Sequence, residues 1–214
     1  IRLAILWHMH QPFYQDLDTG AHALPWARLH ALKDYRGMVD VLEPFPDVRV
    51  TFNLVPSLLS QVQTYAAGAG SDRLLEVGLT PADMLTATDR AFMVSNGFHA
   101  QPDRMIAPYP RYAELHASRD EAAGWSVDDL RDLQVWHKLA WMDPDQLTSD
   151  PRLVRLVAKG RGYSEEDKAE LRAVELAWLR STVEAYRRAQ ERGQVELSTS
   201  PFYHPILPLL CDTD

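Results

Sequence analysis

The chain has 214 residues, 46% of them hydrophobic, enough for the core of one domain or of part of a larger one. Its 30 acidic and 22 basic side chains give a formal net charge of −8. That argues against nucleic acid or an anionic membrane as the main partner, because phosphate binding needs a basic face. A single cysteine, Cys211, precludes an internal disulfide, and no apolar run nears the roughly 20 residues that span a bilayer.

The apolar run Ile1 to Leu6 opens a first strand expected over Ile1 to Met9. His10 to Pro25 reads as a loop. Trp26 to Leu42 has helical spacing and is closed by Pro44 and Pro46. Val48 to Leu54 alternates and is β-branched, hence strand 2, stopped by Pro56. Ser57 to Tyr65 returns to helical spacing, and Ala66 to Ser71 is a small-residue linker. Thr80-Pro81-Ala82-Asp83 reads as a helix start, with Thr80 as cap, running to about Asn96. Gln101 to Pro110 reads as an ordered loop, and Ser126 to Trp141 as a capped helix. Pro144 and Pro151 punctuate the chain beyond Trp141. The longest helix runs from Glu165 to about Arg192, acidic at its start and basic at its end, as the helix dipole favours. Gly193 ends it, and Gln194 to Ser198 is strand 3.

Three strands separated by a long helical insertion, about 57–192, predict an α/β fold. A closed barrel of the triosephosphate isomerase type needs eight strands and about 250 residues. The expectation is therefore the first part of such a barrel, in a chain that starts at Ile1 and stops at Asp214 straight after an apolar, proline-punctuated segment. The lone cysteine and the missing signal-peptide pattern make a cytoplasmic location the expectation.

Residues two apart in a strand share a face, so His8 and His10 project together at the C-terminal end of strand 1. Barrel enzymes keep their chemistry at that end. Three readings of the pair stand: imidazoles satisfied in a buried loop, partners for sugar hydroxyls, or ligands of a divalent metal. The adjacent Gln11-Pro12 favours the sugar, because an amide orients hydroxyls and the proline stiffens the turn. Glu196 shares a face of strand 3 with Ser198, opposite Val195 and Leu197. With the apolar pair against helices, Glu196 faces the barrel interior near its upper end; the competing reading is a surface or salt-bridged glutamate. Thr51 and Asn53 share a face of strand 2, and Asn53 either contacts substrate or caps the turn at Pro56. Trp7 and Tyr203 stand beside the polar motifs, where an aromatic face can stack on a sugar, whereas Trp136, Trp141 and Trp178 sit at helix packing positions. His204 to Leu210 reads as a rigid, buried, irregular segment, with His204 either reaching the site or wedged in packing.

There is no phosphate-cradling glycine-rich loop, Gly-x-Ser-x-Gly elbow, Cys-x-x-Cys pair or His-Glu-x-x-His helix. His8-Met9-His10-Gln11-Pro12 resembles the first motif of glycoside hydrolase family 57, whose core is His-Gln-Pro. Gly193-Gln194-Val195-Glu196, followed by His204-Pro205, resembles the second. Leu24-Pro25-Trp26 to Asp34-Tyr35, Asn53 to Leu59, and Asp132 to Trp141 are similar to the α-amylase-like members, so the resemblance covers nearly the whole chain.

The resemblance implies an incomplete (β/α)7 TIM-like barrel and an α-amylase or 4-α-glucanotransferase type of activity on α-glucan or maltooligosaccharide. No cofactor and no metal are expected. The resemblance also implies a retaining mechanism with a glutamate nucleophile and an aspartate acid/base, which needs two carboxyls roughly 5–5.5 Å apart. Neither motif is recognisable here, so both are expected beyond Asp214, and the chain by itself is expected to be inactive. By the same resemblance Glu196, His8, His10 and Gln11 support substrate binding. Two other functions compete: a metal-dependent amidohydrolase or deacetylase using His8 and His10, and a non-catalytic carbohydrate-binding relic.

Overall fold

The computed structural model describes residues 3–212. The expected strand start at Ile1 and the chain end at Asp214 lie outside the described residues. The chain gathers into two compact units, Ile1–Gly70 with Trp178–Asp214, and Ser71–Ala177.

The first unit is built on a sheet of three parallel strands in the order β1 (Leu6–Met9), β2 (Val50–Leu54) and β3 (Val195–Ser198). The strands are shorter than expected at their N-terminal ends, where Leu3, Ile5 and Val48 are exposed. Their register aligns His8 with Asn53 and Asn53 with Ser198, and two pairs earlier Leu6 with Thr51 and Thr51 with Glu196. Strand alternation then divides the sheet. Met9, Phe52, Leu54 and Val195 make a buried apolar face. Phe52 is fully buried, its ring edge-on to Tyr186 at 5.1 Å between centroids. Leu6, His8, Thr51, Asn53, Glu196 and Ser198 occupy the other face.

Pro56 does more than stop β2. It is the first residue of the helix Pro56–Ala66, where its missing N–H costs no hydrogen bond. The helix expected over Trp26 to Leu42 is instead two short α-helices, Trp26–His30 and Gly37–Asp40, separated by a π turn at Ala31–Tyr35. A π turn inserts a residue into the helical repeat. Tyr35, at its end, is buried and accepts a hydrogen bond on its carbonyl from the Tyr186 hydroxyl at 2.7 Å. Gly193, at φ 70°, supplies the left-handed residue that turns the helix Glu165–Glu191 into β3.

The segment after β3 corrects one expectation. It is not buried: Ile206, Leu209 and Leu210 are exposed, and Leu207–Cys211 forms a short helix instead of irregular chain. Five helical residues give these side chains no layer to pack beneath, while proline in the first turn favours helix initiation.

The second unit is helical. Arg73–Leu79, which lacks a strong sequence signal, is a helix capped by the Asp72 side chain. The expected start at Thr80 gives only one 3₁₀ turn, Ala82–Met84, because Pro81 and Leu85 are extended. The helix proper is Ala87–Asn96, and Thr86 with Asp89 makes its capping box. Pro102–Ile106 is a π turn within the expected loop. The helix Val127–Ala140 starts at a Ser126–Asp129 capping box, as the sequence indicates. Pro144 and Pro151 each open a short helix, capped by Asp143 and Asp150. Trp136 is buried and donates its indole N–H to the Gly160 carbonyl at 2.8 Å. Lys138 and Glu175 form a buried ion pair at 3.0 Å, and the Lys168 ammonium reaches Gln134 Oε1 at 2.8 Å. Among the described residues no helix is long and apolar enough to cross a membrane.

Candidate functional site

Because the strands are parallel and in sequential order, their C-terminal residues Met9, Leu54 and Ser198 end side by side. The loops that leave β1 and β3 meet there. Asn53, on the central strand, is the hub. Its buried side chain accepts from His8 Nδ1 at 2.9 Å and from the Ser200 hydroxyl at 3.1 Å on Oδ1, and donates through Nδ2 to Ser198 Oγ at 3.2 Å. An amide oxygen only accepts, so His8 carries its proton on Nδ1. In the neutral ring Nε2 is then left as an acceptor.

Three imidazoles lie together over this hub. His8 and His10 stack at 5.8 Å with 12° between their planes. His204 is tilted against both, at 4.5 Å from His8 and 5.1 Å from His10. Burial pushes the His10 pKa below the ordinary value, and the neighbouring His204 and His8 push it the same way. His10 is therefore neutral at neutral pH and able both to donate and to accept.

Gln11 is placed differently. Its amide donates to the Tyr35 hydroxyl at 3.0 Å and accepts from the Tyr14 hydroxyl at 2.9 Å. Its backbone carbonyl accepts from Ser57, and Gln61 donates to the Pro12 carbonyl. These bonds tie the Gln-Pro turn to the helix Pro56–Ala66. Glu196 shares the polar face but lies two residues below the level of His8. It accepts from Thr51 Oγ1 at 3.2 Å and lines an open cleft of about 330 Å³ with Leu3, Ile5, Arg49 and Gln194. Trp7 pairs with Phe52 in the sheet and projects to the opposite side from His8.

A sequence model of glycosyl hydrolase family 57 matches residues 4–214. The chain belongs to glycosyl hydrolase family 57. Neither the curated proteins nor the solved structures gave a match.

Family 57 proteins are glycoside hydrolases or transglycosylases, so the substrate is a carbohydrate. In this family 57 chain His8, His10, His204 and Asn53 come together, while Gln11 braces their loop and Glu196 and Trp7 stand apart from the imidazoles. Among the described residues no three His, Cys, Asp or Glu side chains are set to hold a metal ion. The imidazoles meet their neighbours through a hydrogen bond to Asn53 and through ring contacts. Sequence reasoning put Ser198 on the face of Glu196 but could not place it beside Asn53, which strand pairing decides, and it overlooked Ser200. It also overlooked Phe13 and Phe202, whose rings meet that of Tyr203, and Tyr35 and Tyr14, which hold Gln11. No local signal marks those four.

Proposed function

We propose that the protein acts on α-glucan or maltooligosaccharide with retention, as an α-amylase or 4-α-glucanotransferase, and that this chain supplies a substrate-binding wall. The observation that supports it is the trio of imidazoles held by Asn53 at the strand ends. The neutral His10 ring presents both a donor and an acceptor, and His8, with Nδ1 bound to Asn53, offers Nε2 as an acceptor, matching sugar hydroxyls. A retaining glycosidase needs two carboxyls about 5–5.5 Å apart. Of the strand residues on the polar face only Glu196 is acidic. The family's nucleophile and acid/base motifs are not recognisable in this sequence, so on this reading both carboxylates lie outside residues 1–214, with Glu196 as a binding residue. On this reading the chain is the first part of a (β/α)7 barrel with a helical insertion at about 57–192, and the protein works in the cytoplasm.

The test uses the full gene product and the 214-residue chain side by side. The full product should convert maltoheptaose with retention at the anomeric carbon. The chain alone should bind maltoheptaose without turnover, and His8→Ala should weaken binding in both. Product formation by the chain alone would show that it carries its own catalytic carboxylates. Binding by the full product without any turnover would favour the relic.

A further inference from the structure

Beside the imidazoles stands an aromatic triangle. Phe13 comes from the loop after β1, and Phe202 and Tyr203 from the loop after β3. Phe202 and Tyr203 meet edge to face at 4.7 Å, and Phe13 closes the triangle at 5.4 Å from Phe202 and 5.9 Å from Tyr203. Edge-to-face contacts of this kind hold each ring in a set orientation. Tyr203 nevertheless keeps 64% of its surface exposed.

The turn that carries two of these rings is closed by His204, whose N–H donates to the Pro201 carbonyl at 2.8 Å. Phe202 and Tyr203 are therefore its two central residues. His204 has φ 52°, the one positive value outside glycine among the described residues. It also precedes Pro205, where steric clash favours extended backbone. Such strain persists only where surroundings enforce it, and it gathers at binding sites. Here one strained turn presents an aromatic face through Tyr203 and an imidazole through the next residue, which joins the trio.

We propose that Tyr203, backed by Phe13 and Phe202, is a stacking platform for a pyranose ring next to the ring whose hydroxyls meet His8, His10 and His204. Stacking buries the C–H face of the sugar on the π face, while the imidazoles take its neighbour's hydroxyls. The site is thereby built for linked sugar units and discriminates an oligosaccharide from a single ring. This rests on the saccharide reading of the imidazole site.

The test is calorimetric titration of the full gene product with maltoheptaose and with methyl α-glucoside, for the wild type, Tyr203→Ala, Tyr203→Phe and His8→Ala. Circular dichroism checks that each variant is folded. Tyr203→Ala should weaken maltoheptaose about tenfold or more and leave methyl α-glucoside within about twofold, whereas Tyr203→Phe keeps both. His8→Ala should weaken both ligands. Wild-type affinity for maltoheptaose in Tyr203→Ala, with His8→Ala impaired, overturns the platform and leaves the saccharide site standing. Equal losses for both ligands in Tyr203→Ala also overturn it, since Tyr203 then only holds the turn. Absence of binding by the folded wild type overturns the saccharide reading and the platform with it.

Discussion

Asn53→Ala tests the geometry of the site most directly. It removes three hydrogen bonds, to His8 at 2.9 Å, Ser200 at 3.1 Å and Ser198 at 3.2 Å. His8 and Ser198 are exposed and Ser200 is half-buried, so water can replace Asn53 at each partner. The relevant cost per bond is then the net one, about 0.5–1.5 kcal/mol, with the two longer bonds at the low end. The sum is about 2 kcal/mol, which for a chain of this length lowers Tm by about 4–8 °C. A double-mutant cycle with His8→Ala isolates the shortest bond, and its coupling should be about 1 kcal/mol. Urea and thermal unfolding followed by circular dichroism measure both. Additivity within about 0.3 kcal/mol, together with an unchanged Tm, would mean that Asn53 does not hold His8 and that the site is assembled otherwise.

Acid should loosen the imidazole trio. The folded His10 pKa lies below the ordinary 6.5, so the unfolded chain takes up its proton first as pH falls. The contribution of His10 to stability is complete above about pH 6.5 and is lost as pH drops through its folded value; His10→Gln should flatten the fall in Tm between pH 7 and pH 5, and an identical slope in that variant would contradict the assignment. At His204 the usual order of substitutions should invert. Glycine tolerates φ 52° and alanine does not, so His204→Gly should be more stable than His204→Ala by about 1 kcal/mol, and the reverse order in urea melts would deny the left-handed backbone. In the helical unit, Lys138→Met takes the ammonium at 3.0 Å away from the buried Glu175, whose contact with Arg172 is longer at 3.4 Å, and should cost about 3 kcal/mol. Adding Glu175→Leu should recover most of that; a double variant as unstable as the single would show that the pair does not bear on stability.

Local chemistry was legible wherever neighbouring residues decide the outcome. Period-two alternation is a property of extended backbone, and it is enough to put His8 with His10, Thr51 with Asn53, and Glu196 with Ser198. Proline and capping residues act over three or four positions, which is why Ser126 and Gly193 mark true boundaries. The same locality misleads at Thr80. Two competing caps stand within seven residues there, and the reciprocal bonds of Thr86 and Asp89 prevail.

The family motifs, too, can be read from the chain alone, because they are contiguous. What the motifs do cannot be read there. Gln11 stands beside His10 in the sequence, and only the fold shows that two tyrosine hydroxyls from other positions hold its amide. The meeting of His204 with His8 and His10 depends on the order β1-β2-β3, which lays the first and third loops over Asn53. It depends equally on a backbone angle at His204 that no local preference selects before proline. Sequence determines which faces the side chains take, since that follows from the backbone repeat. Tertiary structure decides which faces meet, since that requires strand pairing across more than forty residues between β1 and β2 and more than a hundred between β2 and β3.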